Sequence, residues 1–153
     1  MRAFSAEYML EMVKYLYNKF GIKEIMFADD TMLAFRDRTM KLAESLAKEN
    51  LNLQWECMAR VSDADPELYK MLNKSGCFEI SFGIESYSES VLKIVNKNIT
   101  KELVNKAVQI TKDAGIRTRG YFVFGLPGET KETLKESIYY ILSGTLNDVA
   151  IFS

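Results

Sequence analysis

The feature of this sequence that most constrains its fold is a series of five helix stops, each followed by a short apolar run. The stops lie at Gly21, Asn50, Gly76, Gly115 and Gly144. Glycine and asparagine accept the left-handed backbone conformation found just past a helix. The apolar runs that follow cover residues 22–27, 51–57, 77–82, 116–124 and 149–152. The pattern predicts five helix–strand units.

The apolar runs are blocks such as IMF, ISF and YFVF rather than alternations of apolar and polar residues. Such blocks are typical of a parallel sheet covered by helices, which indicates an α/β fold. A complete TIM barrel needs at least ~200 residues, so the 153 residues here suffice for only part of one. An open doubly wound sheet is the alternative at this point. No linker or composition break divides residues 1–153, so we expect a single, incomplete domain.

Three helix starts are predicted from capping residues. Ser5, Asp65 and Thr100 are each followed within two residues by an acidic side chain. Small polar residues cap helix N-termini, and acids in the first turn interact favourably with the helix dipole.

The composition excludes several classes of site. Histidine is absent, which excludes a Ser–His–Asp triad, a Cys–His pair and metal sites built on imidazole. The two cysteines, Cys57 and Cys77, flank predicted strands and are interpreted as buried small residues rather than ligands. We therefore predict no catalytic and no metal-ligating residue in this chain.

Charge and hydropathy narrow the range of partners. The net charge of −1 gives no basic surface for nucleic acid. No apolar run approaches the roughly 20 residues needed to span a bilayer, and the N-terminus lacks the features of a signal peptide. We expect a cytoplasmic protein whose partner is a small molecule.

Polar or turn-forming residues follow four of the predicted strands. In a parallel sheet the carboxyl ends of the strands lie along one rim, where α/β folds build their ligand sites. The candidate binding residues are Asp29, Asp30, Arg60, Glu85 and Ser86, with the turn of Gly125, Leu126 and Pro127 after the fourth strand.

Each candidate has a structural alternative. Asp30 and Ser86 could cap the helices that follow them, Arg60 could form a surface ion pair, and Gly125 could belong to an ordinary tight turn. Glu85 directly follows an apolar run, where a carboxylate is costly unless paired; either a ligand or Arg119 could be its partner. Lys93, Lys97 and Lys101 are interpreted as a solvated basic face.

Four segments together resemble the radical S-adenosylmethionine (SAM) superfamily, in particular members in which this domain follows a cobalamin-binding domain. The segments are GIKEIMFADDTM (21–32), NLQWECMAR (52–60), DPELYKMLNKSGCFEISFGIES (65–86) and AGIRTRGYFVFGLPGETKETLKESI (114–138). The resemblance implies a partial TIM barrel of six βα units, of which the five strands here correspond to family strands 2–6. It also implies SAM across the strand ends, bound to a 4Fe–4S cluster that cleaves it to a 5′-deoxyadenosyl radical; cobalamin is a further possible cofactor of the parent protein.

The resemblance assigns provisional roles to the candidate residues. Asp29 and Asp30 would face the methionine end of SAM or the substrate, and Glu85 and Ser86 would bind its methionine or ribose groups. The turn at Gly125, Leu126 and Pro127 would lie beside adenine. Arg60 is a candidate for the SAM carboxylate, which suits a guanidinium fork.

One departure from the family is large. The CxxxCxxC loop that supplies the cluster thiolates is absent from the sequence. We expect the chain to begin just after that loop and to end with the sixth family strand. It is then either a fragment of a radical SAM oxidoreductase or transferase, inactive alone, or a stand-alone module that binds a ligand or a protein.

Two further expectations complete the analysis. An unrelated hydrolase or nucleotide-binding domain is a weaker interpretation, because no GxSxG or GxxxxGK[ST] motif is present. A barrel without its first strand exposes an unpaired edge next to residues 25–27, which favours a homo-oligomer.

Overall fold

The computed structural model of the protein describes residues 4–29 and 32–153. Helices and strands alternate along the chain, except that two helices lie between the third and fourth strands. They are α1 Ala6–Phe20, β1 Glu24–Phe27, α2 Arg36–Glu49, β2 Gln54–Ala59, α3 Pro66–Lys74, β3 Cys77–Glu85, α4 Glu89–Ile94, α5 Lys101–Asp113, β4 Arg117–Val123, α6 Lys131–Leu142 and β5 Asp148–Phe152. Short 3₁₀ helices at Met32–Ala34 and Val61–Asp63 follow β1 and β2.

The strands form one parallel sheet in the order β1-β2-β3-β4-β5, with β1 and β5 at its open edges. A doubly wound sheet would reverse its strand order at a switch point, whereas this order simply follows the chain. The prediction of a partial TIM barrel with five parallel strands is therefore confirmed.

The helices cover one face of the sheet and form the apolar core with it. The core includes Trp55 and Cys57 of β2, Ile80 and Phe82 of β3, and Leu72 of α3, all nearly inaccessible to solvent. The two cysteines are buried, as predicted. The alternate strand positions form the opposite face, called the inner face below; its paired positions include Glu56–Glu79, Ser81–Arg119 and Gly83–Tyr121.

The predicted helix signals are confirmed, whereas the predicted bounds of two strands were wrong. Ser5, Asp65 and Thr100 each accept a hydrogen bond from a backbone N–H of the helix they cap. β2 runs from Gln54 to Ala59 rather than over 51–57, and β3 continues to Glu85 rather than ending at residue 82. The apolar runs did not mark these ends, because main-chain pairing with neighbouring strands decides where a strand stops.

Gly76 provides a test of the junction between α3 and β3. Its φ is +95°, and a Cβ there would lie 2.3 Å from the Leu53 carbonyl oxygen. We expect Gly76→Ala to lower the free energy of unfolding by about 2–4 kcal/mol, from backbone strain plus the clash. Gly144 is the control, since its φ is +69° with no atom within 4 Å of the Cβ position; Gly144→Ala should cost only about 1 kcal/mol. Equal losses in urea denaturation would contradict this account.

Asp65 provides a pH-dependent test of the α3 cap. Its carboxylate accepts from Leu68 N (2.8 Å) and pairs with Arg36 Nε (2.9 Å), and the Leu68 N–H and Arg36 together lower the pKa of Asp65. A lowered acid pKa stabilises the fold above the ordinary pKa, and this stabilisation is lost as pH falls through the folded value. Asp65→Ala should cost about 1 kcal/mol at neutral pH.

The matched variant is Asp65→Asn, which retains an acceptor for the cap but removes the charge. It should lose less stability than Asp65→Ala at neutral pH, and its difference from wild type should close as the pH falls through the lowered pKa of Asp65, where the charge is neutralised. A difference that stays constant with pH in urea denaturation would exclude the contribution of the Asp65 charge.

Candidate functional site

A cleft of about 620 Å³ lies at the carboxyl ends of β2 and β3. Its polar lining comes from the turn after β2, the end of β3 and the segment after α4: Arg60, Ser62, Glu85, Asn96, Lys97 and Asn98. The charged side chains of this lining are two cations, Arg60 and Lys97, and one carboxylate, Glu85. The cleft therefore offers both donors and an acceptor to a ligand.

Glu85 is held in an unusual backbone conformation at the end of β3. Its φ is +66°, one of three positive values among the described non-glycine residues, and the pairing of β3 with β4 shifts register between Gly83 and Glu85. Non-glycine residues with positive φ are strained and concentrate at functional sites. Gly83 leaves room for the carboxylate, since a Cβ at Gly83 would lie 2.9 Å from Glu85 Oε1.

The carboxylate of Glu85 pairs with Lys97 rather than with Arg119. Lys97 Nζ lies 2.5 Å from Glu85 Oε1, and each side chain is about 30% exposed. Lys97 is positioned by the turn after α4, where its backbone N–H donates to the Leu92 carbonyl (2.8 Å). The interpretation of Lys97 as part of a solvated face was therefore wrong.

Arg60 lies directly beyond β2 and lines the cleft with an exposed side chain. Its extended backbone leads into the 3₁₀ helix Val61–Asp63, and its carbonyl accepts from Asp63 N at 3.0 Å. The structure thus places Arg60 and Glu85 in one cleft, although they come from different strands.

Ser86 lies behind the rim instead of in the cleft wall. Its hydroxyl is buried, lies 3.4 Å from Ser137 Oγ of α6 and accepts from Ser88 N (3.2 Å). Ser137 Oγ also accepts from Tyr87 N at 2.8 Å. These contacts fix the chain directly after Glu85 against α6. The alternative that Ser86 caps the next helix was wrong, because Ser88 occupies the N-cap position of α4.

The glycine-containing turn after β4 lies beside the cleft. Gly125 has a φ of +86°, and its N–H donates to Glu129 Oε2 at 2.7 Å, while Glu129 N donates to the Leu126 carbonyl (3.0 Å). Gly128 packs closely on Ile94 of α4. Leu126 and Pro127 thus belong to a turn held next to the end of α4, and they lie outside the described cleft lining.

Asp29, which follows β1, is not among the residues that line this cleft. Asp29 Oδ2 lies 3.4 Å from Arg38 Nη2 of α2, and the same guanidinium group lies 3.4 Å from the Met32 carbonyl. Asp30 lies outside the described residues. The structure therefore brings Arg60 and Glu85 into one cleft, whereas Asp29, Ser86 and the Gly125 turn lie outside its lining.

An ionic cluster on the inner face was not predicted. Arg119 of β4 lies 2.9 Å from Glu79 Oε1, 2.9 Å from Asp148 Oδ2 and 3.5 Å from Glu56 Oε2. Glu79 is almost fully buried. Burial, together with the neighbouring Glu79 carboxyl, raises the pKa of Glu56. In the sequence, the sign of this cluster is that charged residues stand singly within apolar runs. Which of these charges pair with one another depends on strand register.

Metal-binding groups are lacking in the part of the chain that the structure describes. Residues 4–29 and 32–153 contain no group of three or more His, Cys, Asp or Glu side chains that could hold a metal ion. Cys57 and Cys77 lie in the core beneath the helices. Burial raises the pKa of the Cys77 thiol, which disfavours the thiolate that a metal requires.

None of the described helices is long and apolar enough to cross a membrane.

Comparisons with known proteins agree on one family. The family model described as "Radical SAM superfamily" matches residues 1–141. An uncharacterized methyltransferase of Pyrococcus horikoshii is 32% identical over 139 residues, covering 91% of this chain and 30% of the relative. The anaerobic magnesium-protoporphyrin IX monomethyl ester cyclase of Rubrivivax gelatinosus is 32% identical over 127 residues, covering 82% of this chain and 23% of the relative.

A solved structure shows the same fold. The radical S-adenosylmethionine methyltransferase TsrM from Kitasatospora setae, with cobalamin and a 4Fe–4S cluster bound, superposes with a TM-score of 0.84 at 17% identity. The match covers 97% of this chain and 28% of that one. The chain thus spans less than a third of the length of each of these three proteins.

The ionic cluster yields a stability prediction. Arg119→Met should lower the free energy of unfolding by about 2–4 kcal/mol, because it leaves the buried Glu79 without its closest cation; partial exposure of Arg119 keeps the loss below that of a fully buried pair. Arg117→Met is the control, since Arg117 is 57% exposed and its Nε lies 3.4 Å from Glu79; it should cost less than 1 kcal/mol, roughly as for a surface pair.

The loss in Arg119→Met should also depend on pH. The Arg119 charge lowers the pKa of Glu56 against the effect of burial, so its removal should raise that pKa further. A carboxyl with a raised folded pKa destabilises the fold above its unfolded pKa. Urea denaturation should therefore show a smaller loss in mild acid than at alkaline pH; a larger loss in acid would contradict the assignment.

Proposed function

Because the chain belongs to the radical SAM superfamily, we propose that the cleft at the ends of β2 and β3 is a binding site for S-adenosylmethionine. The observation that carries the proposal is the meeting of Arg60, Glu85 and Lys97 in one cleft at the strand ends. Ligands of parallel α/β folds bind at that rim. The volume of about 620 Å³ falls within the range of small-molecule sites, roughly 300–1,000 Å³.

The chemistry of the lining suits the polar groups of SAM. A guanidinium fork and an ammonium group match a carboxylate, which supports Arg60 and Lys97 as partners of the methionine carboxylate. The Glu85 carboxylate accepts hydrogen bonds and suits an amino group or ribose hydroxyls. The turn of Gly125, Leu126 and Pro127 is proposed to flank adenine, and Asp29 and Asp30 to face the methionine end or the substrate.

Ser86 is proposed to act indirectly in this site. Its hydroxyl lies near Ser137 and accepts from the Ser88 N–H, so the polar atom of its side chain is engaged behind the rim. Its role is then to position the strained residue Glu85. The hydrogen bond from Tyr87 N to Ser137 Oγ (2.8 Å) is proposed to help hold the same segment.

The described residues do not fit a 4Fe–4S cluster. They hold no set of three candidate ligands, and both thiols lie in the core beneath the helix layer. We propose that this chain contributes a SAM-binding portion to a larger enzyme whose cluster ligands lie elsewhere. By itself the 153-residue chain is then inactive in reductive SAM cleavage.

The parent enzyme is proposed to be a radical SAM transferase or oxidoreductase. The name of the Pyrococcus horikoshii relative favours methyl transfer, while the Rubrivivax gelatinosus relative is a cyclase. TsrM was solved with cobalamin bound, which makes cobalamin a candidate cofactor of the parent. The second candidate function is a stand-alone binding module, favoured by the lack of cluster ligands among the described residues.

Calorimetric titration of the 153-residue protein with SAM tests the proposal. We expect saturable binding of one SAM, weakened about tenfold or more in Arg60→Ala and in Lys97→Ala, because each removes a charge-assisted hydrogen bond. Lys93→Ala is the matched control: Lys93 lies on α4, exposed and outside the described cleft lining, and its variant should bind like wild type.

Two results would distinguish the two candidate functions. SAM binding without 5′-deoxyadenosine formation, after anaerobic incubation with iron, sulfide and dithionite, supports a SAM-binding portion that lacks its cluster. No saturable SAM binding by a folded protein contradicts the assignment of the cleft and leaves the binding-module function with another ligand.

A further inference from the structure

Two carboxyl groups face each other across neighbouring strands on the inner face of the sheet. Glu56 of β2 and Glu79 of β3 are paired in register, and their carboxyl groups lie within hydrogen-bonding reach of each other. The side chain of Glu79 is 2% exposed and that of Glu56 is 15% exposed. Two ionised carboxylates so close together and shielded from water repel each other, and neither has a hydrogen to donate to the other.

The cations near this pair compensate its charge only in part. Arg119 Nη1 lies 3.5 Å from Glu56 Oε2, and Arg119 Nη2 lies 2.9 Å from Glu79 Oε1. The same guanidinium group donates from Nε to Asp148 Oδ2 at 2.9 Å, so one positive charge is divided among three carboxyl groups. Arg117 adds a long contact, with its Nε 3.4 Å from Glu79 Oε2, from a side chain that is more than half exposed.

One oxygen of the buried Glu79 carboxyl lacks a donor. Among the described residues, Glu79 Oε1 has no hydrogen-bond partner. The nearby Arg119 forms an ion pair with this oxygen without a hydrogen bond. A buried acceptor without a donor carries the full cost of its lost hydration. A proton on Glu56 would supply a donor, because a protonated carboxyl has one O–H.

We propose that Glu56 keeps its proton in the folded protein over a pH range in which a solvated glutamate is ionised, and that its O–H donates to Glu79. Glu79 then carries the charge that pairs with Arg119, and the hydrogen bond joins β2 to β3 on the inner face. A single proton thus removes the repulsion between the two carboxyl groups and provides a donor to the buried one. Neither group lines the cleft, so this proton site is independent of SAM binding.

The surroundings of the pair favour the protonated form of Glu56. Burial raises the pKa of Glu56, the hydrogen bond with Glu79 raises it further, and the Arg119 charge opposes both effects. Asp148 does not compete for the proton, because hydrogen bonds from the Val149 N–H and from Arg119 lower its pKa. The titratable groups around the pair on the neighbouring strands are Glu24 of β1, Arg117, Arg119 and Tyr121 of β4, and Asp148 of β5.

Urea denaturation of the 153-residue protein across pH tests the proposal. Because the unfolded chain releases the Glu56 proton at lower pH than the folded chain, the stabilisation is present below the unfolded pKa and is lost as pH rises through the folded pKa. Glu56→Gln keeps a donor to Glu79 at every pH, so it should match wild type in acid and exceed it at alkaline pH. Over the range between the two pKa values, the folding constant of wild type should fall relative to Glu56→Gln by up to about tenfold per pH unit, the limit for one proton.

Glu24→Gln is the matched control, because it removes an exposed carboxylate from the same inner face. This variant should keep most of the wild-type dependence on pH. If it abolishes that dependence as fully as Glu56→Gln does, general repulsion on the inner face is the cause and the shared proton is excluded.

Carbon-13 NMR of the glutamate carboxyl groups in the wild-type protein reads the proton directly, whatever the stability of the variants. We expect the Glu56 carboxyl to titrate at higher pH than the exposed glutamates. The Glu79 signal should move in the same step, because interacting carboxyls titrate as a pair, and Glu56→Gln should abolish that step. Ionisation of Glu56 together with the exposed glutamates, or a dependence of stability on pH that Glu56→Gln leaves unchanged, would overturn the proposal.

Discussion

The parallel pairing of β3 with β2 and β4 is the constraint on which the rest of the structure depends. β3 is the longest strand, at nine residues, and its main chain is bonded on both sides. Because the three strands run in one direction, their carboxyl ends meet at one rim. That rim brings Arg60 and Glu85 into the same cleft, and Glu85 has its positive φ where the register shifts beside Gly83.

Two carboxylates of β3, Glu79 and Glu85, pair with cations in different ways. Glu79, in the middle of β3, is buried on the inner face and meets Arg119 at 2.9 Å. Glu85, at the strand end, meets Lys97 from a turn and stays partly exposed. Since Arg119 is engaged by Glu79 and Asp148, the inner face is closed by ion pairs at that level. The open space therefore lies above it, at the strand ends, where donors and an acceptor remain accessible to a ligand.

The periodic architecture also explains where polar and apolar surfaces lie. Ion pairs link α1 to α2 and α5 to α6, as in Lys14–Glu49 and Lys101–Glu136. The exposed apolar residues of the first and last helices include Tyr8, Met12 and Leu142. The sheet positions the thiols by the same rule: Cys57 and Cys77 point into the helix-covered core, which removes them from the rim where a cofactor would bind.

The sequence by itself determined the local structure: five helix–strand units, their caps at Ser5, Asp65 and Thr100, and a parallel sheet, because capping and hydrophobic blocks act between residues close in the chain. It also identified strand-end residues such as Arg60 and Glu85. Only the tertiary structure decided that Lys97 is the partner of Glu85, that Ser86 contacts Ser137 and that Arg119 pairs with Glu79. Those contacts depend on strand register and on how helices lie over the sheet, which are set by the packing of segments distant in sequence.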